Sequence, residues 1–193
     1  MKGIDIGKGN DGVGIKNVIG DIVDRFQENA VWKIRRFKND ADRKAGKVYG
    51  IDQSMALFGA LQNTTIDGNI LTNEGINELL TILGSASSGT KFDNTNAYLG
   101  VGTGSGAAAA SDTESTFTVI VKKGMESGFP TYGTSQKITF KSSFGSSDAN
   151  QAWNEFGVLN ASTSGKLLNR KVSAQGTKVS GQTWELTLEI TLS

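Results

Sequence analysis

A chain of 193 residues is long enough to bury a core without covalent staples, and this one has neither cysteine nor histidine. That excludes disulfides, thiolate metal sites, the commonest general base and the usual pH switch, and leaves catalysis to carboxylates, lysines or tyrosines. The formal net charge of +1 gives no global pull toward nucleic acid or an anionic membrane.

The charge is uneven. Residues 1–50 hold eleven Lys/Arg against seven Asp/Glu, and the remainder nine against twelve. This fits a basic arm docking on an acidic neighbour such as another copy's body, or chance variation on a solvated surface. No run approaches the ~20 apolar residues of a membrane span. The N-terminus lacks the apolar stretch of a signal peptide, so the protein is expected to be made and kept in the cytosol, or released by lysis. With 25 glycines and only Pro130 as proline, many short strands joined by tight turns are expected.

Residues 1–20 carry six glycines, and Ile4, Ile6, Val13 and Ile15 between them are too sparse for a core. They read as an arm that orders against a partner, or as a plain disordered terminus. Residues 20–29 suit a short amphipathic helix with Ile22, Val23 and Phe26 on one face. Residues 31–38 alternate as a strand. The basic side chains beside Trp32 and Phe37 could touch nucleic acid, but a solvated strand face explains them better. Residues 39–46 read as a polar loop, and 47–61 as strand or helix.

Asp67-Gly68 signals a turn. After it, Ile76, Leu79, Leu80 and Leu83 fall at helical spacing, with Thr72 or Asn73 as cap, Glu74 in the first turn and Gly84 as stop. One short helix among strands is expected to plug an open end of a sheet core. Strands are predicted over 97–101, 117–121, 138–144, 153–159 and 166–172. The plainest is 184–192, where Trp184, Leu186, Leu188, Ile190 and Leu192 alternate with Glu and Thr. Gly-containing turns between them argue for a sandwich or jelly roll.

Several stretches resemble chemical motifs. The run 100–106 alternates glycine but lacks the G-x-x-G spacing and the Gly-Lys-Ser/Thr of phosphate loops, so it reads as a flexible connection. Asp148 and Glu155 could form an acid pair for glycoside cleavage only if a cleft set their spacing. Asp93, Asn94 and Asn96 lack a full calcium loop and read as turn formers. Trp32, Trp153 and Trp184 could stack on sugars, though Trp184 begins the apolar face of the last strand.

Four segments together resemble a family of small structural proteins of tailed-bacteriophage virions. They are Gly68-Asn-Ile-Leu-Thr-Asn-Glu-Gly-Ile76, Phe92-Asp-Asn-Thr-Asn-Ala-Tyr-Leu-Gly-Val-Gly102 and Phe144-Gly-Ser-Ser-Asp-Ala-Asn-Gln-Ala-Trp-Asn-Glu-Phe-Gly157. The fourth runs from Leu168-Asn-Arg-Lys-Val172 through Gly176-Thr-Lys178 to Trp184-Glu-Leu-Thr-Leu188. The likeness covers about residues 30–193 and leaves out 1–29. It implies a mainly β protein: a β-sandwich or jelly-roll-like body over 30–193 with one short helix, to which the reading of the residues adds an extended N-terminal arm over 1–29. It also implies a non-enzymatic head decoration or cement protein on the outside of a capsid. The alternatives are a tail, collar or fibre component, and more remotely a carbohydrate-binding or glycan-cleaving protein. The expected partners are the major capsid protein, other virion proteins and further copies of the chain, with no nucleic acid, membrane, cofactor or metal. Contacts are expected through Ile4, Ile6, Val13, Ile15, Lys16, Arg25, Phe26, Arg35 and Arg36, and no residue is expected to be catalytic.

Overall fold

The computed structural model describes residues 28–47, 63–85 and 87–192. Within them, ten strands form two five-stranded antiparallel sheets, a β-sandwich. The first sheet runs β2 (Thr64–Asp67), β1 (Glu28–Phe37), β10 (Thr183–Leu192), β7 (Lys137–Phe144), β6 (Thr131–Thr134). The second runs β3 (Ile70–Leu71), β9 (Leu167–Val172), β8 (Glu155–Leu159), β4 (Tyr98–Gly102), β5 (Val121–Gly124). Two α-helices accompany them, α1 (Asp40–Lys44) and α2 (Asn73–Gly84).

The period-two pattern of β10 sets the first sheet. Its Trp184, Leu186, Leu188 and Ile190 are buried toward the second sheet, and it pairs along its whole length with β1, from Glu28 opposite Leu192 to Phe37 opposite Thr183. Ala30, Trp32 and Ile34 of β1 share that inner face. Leu99 and Val101 of β4 and Phe156 and Val158 of β8 meet them from the other side. Trp153 joins the layers: its ring stands edge-on to Phe144 and to Trp184, each at 4.9 Å between centroids.

Outside the first sheet, the acids of β10 lie between basic rows. Glu189 meets Lys33 of β1 at 2.8 Å and Lys137 of β7 at 3.7 Å. Glu185 meets Arg35 at 3.3 Å, Lys141 at 3.0 Å and Arg43 at 3.6 Å. Lys33 and Arg35, two of the basic residues of β1 that suggested a nucleic-acid patch, are therefore cross-strand partners of glutamates, an arrangement that stabilises sheet pairs.

Two local expectations are corrected. The predicted loop at 39–46 contains α1, because Asn39 caps it by accepting the amide of Asp42 at 2.8 Å. The predicted strand at 117–121 is mostly not a strand. Glu114–Thr116 form a 3₁₀ turn, Val119 sits at φ +49°, and pairing starts only where Val121 comes opposite Val101. Phe117 is instead buried with Leu159 and Leu167 on the outer face of the second sheet. The expected helix at 20–29 (apart from Glu28 and Asn29, which open β1) and the ambiguous region after residue 47 fall outside the described residues.

Candidate interaction surface

Helix α2 forms as the sequence predicts. Thr72 is the cap: its hydroxyl oxygen accepts the amide of Gly75 at 3.1 Å while its hydroxyl donates to the carbonyl of Leu167. The orientation of the helix overturns the expectation that its apolar stripe plugs the core. Ile76, Leu79, Leu80 and Leu83 are exposed, at 39%, 42%, 59% and 84%. The opposite side packs. Gly75 is buried, and Ile82 touches the main core.

Hydrogen bonds hold the helix in this inverted pose. Glu74 accepts the Leu167 amide at 2.8 Å. Glu78, one turn on, accepts the Thr90 amide at 2.5 Å and the side-chain amide of Asn160 at 3.2 Å. The acids thus anchor the helix to the sandwich while the aliphatic stripe faces water. An amphipathic helix ordinarily does the reverse, with its apolar face turned to the core.

Gly75 permits the close approach. A Cβ there would lie 2.5 Å from the Leu168 Cα and 2.6 Å from the Leu167 carbonyl oxygen, both backbone atoms that cannot swing away. Helix propensity alone favours alanine over glycine by about 1 kcal/mol. Gly75→Ala is nevertheless expected to destabilise the protein, with a lowered urea midpoint. A raised midpoint would show that the helix is not seated on β9 in this way.

A second feature lies on the outer face of the second sheet, where residues 103–120 cross as a strap. Two side chains that the sequence gives no reason to pair hold it, Arg170 of β9 and Glu155 of β8. They are 2% and 0% exposed. The Arg170 guanidinium donates to Glu155 at 2.5 and 3.1 Å, to Asp112 at 2.9 Å and to the Ala107 carbonyl at 3.5 Å. The other oxygen of Glu155 accepts the amides of Gly104 at 2.7 Å and Thr118 at 2.8 Å. Burial pulls the pKa of Arg170 down, but its bonds to Glu155 and Asp112 outweigh that and leave it above the ordinary value.

Two of the alternating glycines of 100–106, Gly102 and Gly104, are thereby explained. A Cβ on Gly102 or Gly104 would come within 2.5 Å of the Glu155 carboxylate. The run is an anion cradle after all, and the anion is the chain's own glutamate.

The other sequence candidates are distributed as follows. Asp93 closes a turn, its carboxylate accepting from the amides of Thr95 and Asn96 at 3.1 and 3.0 Å. Asp148 accepts from Lys123 at 2.7 Å and from the Gly145 amide at 2.9 Å, and the Lys123 bond holds its carboxyl below the usual range. With Glu155 sealed under the strap, these two acids do not share an accessible cleft. All three tryptophans lie in the core rather than on a sugar-binding face.

Arg35 stands on the outer face, its guanidinium 5.1 Å from the Phe37 ring centroid. Arg36, expected among the outward contacts, is turned inside instead. It donates to Thr64 at 2.8 Å and to the Gln175 carbonyl at 3.0 Å, lies 4.6 Å from the Trp184 ring centroid, and has its pKa pulled down to about 10 by burial. Strand alternation is the reason, since Arg36 follows Trp32 and Ile34 on the inner face. Ile4, Ile6, Val13, Ile15, Lys16, Arg25 and Phe26 fall outside the described residues.

Comparison with protein-family models, curated proteins and solved structures finds no match to this chain.

Proposed function

We propose that the chain is a structural component of a tailed-bacteriophage virion, a head decoration or cement protein that binds the outside of the capsid shell and stabilises it. The observation that carries this reading is the aliphatic stripe of α2, held toward water by the protein's own hydrogen bonds. Such a stripe suits a surface that another molecule covers. The resemblance of residues 30–193 to virion structural proteins gives that surface a setting. The buried charges of Glu155, Arg170 and Glu185 serve the fold, in keeping with a protein that acts through surfaces.

The energetics favour repeated contact. Covering the exposed parts of the four aliphatic residues gains on the order of 5 kcal/mol, against an association cost of roughly 4–15 kcal/mol. One such contact holds little. Many copies on a lattice, each with further contacts, hold well.

Quantitative mass spectrometry and imaging of intact particles test the proposal. Copy number on the scale of the shell's subunits is the expected result. Copy number at the low-fold symmetry of a tail would move the protein to a tail, collar or fibre, and absence from purified particles would refute a virion role. Deleting residues 1–29 should leave a folded body, by circular dichroism, that no longer attaches to particles. Undiminished attachment would remove the arm from the contact.

A further inference from the structure

We infer that Asp112 and Arg170 are positioning residues for the exposed face of α2: through the strap they hold the first turn of the helix, and with it the outward pose of the stripe. The contacts form one chain of bonds. Arg170, anchored on Glu155, donates to Asp112 at 2.9 Å. The same oxygen of Asp112 accepts the Ala109 amide at 2.8 Å, and the Asp112 amide donates to the Ala109 carbonyl at 3.0 Å. These two bonds close a tight turn over 109–112. The carbonyl of Ala110, inside that turn, accepts the amide of Asn73 at 2.7 Å. Asn73 is the first residue of α2.

A helix leaves the amides of its opening turn without partners of its own, so something else must supply them. The Thr72 amide goes to the Leu168 carbonyl of β9 at 3.0 Å, and the Gly75 amide to the Thr72 hydroxyl at 3.1 Å. The Asn73 amide goes to the strap. Ile70, just upstream, pairs with Arg170 itself. The segment that enters the helix is thus gripped by the strand that carries the guanidinium and by the turn that the guanidinium holds. Loss of Asp112 from that turn withdraws the Ala110 carbonyl and loosens the start of the helix.

The functional consequence rests on the stripe being the contact surface proposed above, and the test separates the two. Hydrogen exchange of the full chain is followed by mass spectrometry over residues 72–84, with residues 184–192 of β10 as the reference for global opening. Asp112→Ala should speed exchange of the helix relative to β10 by about fivefold, the effect of losing one helix-capping hydrogen bond. Asn73→Pro is the second variant. It deletes the amide that Ala110 accepts, at the first helical position, where proline is favoured. Thr72 before it already has the extended backbone, at ψ 153°, that a following proline requires. Because coupling is reciprocal, this change should speed exchange of the Ala109 and Asp112 amides in the strap. In the double variant, Asp112→Ala should add nothing further to the exchange of α2.

Three results would overturn the inference: helix exchange unchanged relative to β10 in Asp112→Ala, strap amides indifferent to Asn73→Pro, or full additivity in the double variant. Faster helix exchange in Asp112→Ala with undiminished attachment to particles would take the stripe out of the contact and leave the positioning role standing. Weakened attachment with unchanged helix exchange would do the reverse.

Discussion

Arg170→Met should lower the unfolding free energy by about 3–5 kcal/mol, the usual cost of stranding one partner of a buried ion pair. Glu155 is fully buried, and one of its oxygens has Arg170 as the donor of both its side-chain bonds. Asp112 would lose its guanidinium as well. Methionine keeps much of the bulk, so the loss reports mainly the missing charge and hydrogen bonds rather than a void. Glu155→Gln should also destabilise, because its NH2 group would have to face either the guanidinium or the backbone amides of Gly104 and Thr118, all of them donors. The double variant should recover part of the sum, since each change removes the group that the other strands. Denaturant unfolding of the four proteins measures the coupling. If Arg170→Met stays within about 1 kcal/mol of the parent, the strap is held by something other than this pair.

Trp153→Ala should cost a similar amount, about 3–5 kcal/mol, by a different route. The ring is fully buried between the sheets, edge-on to both Phe144 and Trp184, and its indole nitrogen donates to the Ala149 carbonyl at 3.0 Å. Alanine leaves a cavity that neither sheet can close without disturbing the other. Trp153→Phe should be milder, since a ring remains and mainly the hydrogen bond is lost. Near-ultraviolet circular dichroism should weaken in the alanine variant together with the thermal midpoint. An unchanged midpoint would show that the two layers do not depend on this ring.

The parts of the fold legible in the sequence are those where one local period decides the outcome. β10 alternates because its apolar residues face the core, so which of its side chains turn inward could be read directly. Helix α2 was legible in extent, through Thr72 and the helical spacing, but not in orientation. Spacing identifies an apolar stripe. Which side packs was decided by Gly75 against β9 and by the bonds of Glu74 and Glu78, all of which depend on residues distant in sequence.

The strap misled for a related reason. Residues 117–121 have β-branched composition, but their place is fixed by burial of Phe117 and the positive φ of Val119 rather than by pairing. Glu155 and Arg170 are fifteen residues apart and sit on neighbouring strands, where register alone brings them together. Arg36 shows the same limit from the other side. A basic residue near a strand end looks like surface until the pleat direction is known, and the pleat turned it inward.

The strap also implies an order of events during folding. Both side chains that hold it belong to the hairpin of β8 and β9, while the segment they grip precedes that hairpin in the chain. Residues 103–120 therefore emerge earlier in synthesis than the clasp that fastens them. Until β8 and β9 pair, the acid and the guanidinium have no common location, and the crossing segment has nothing to close upon. Closure must wait for these non-local contacts, which form slowly because their loop entropy is lost first. A segment made early is thus fastened only after a hairpin made later is in place.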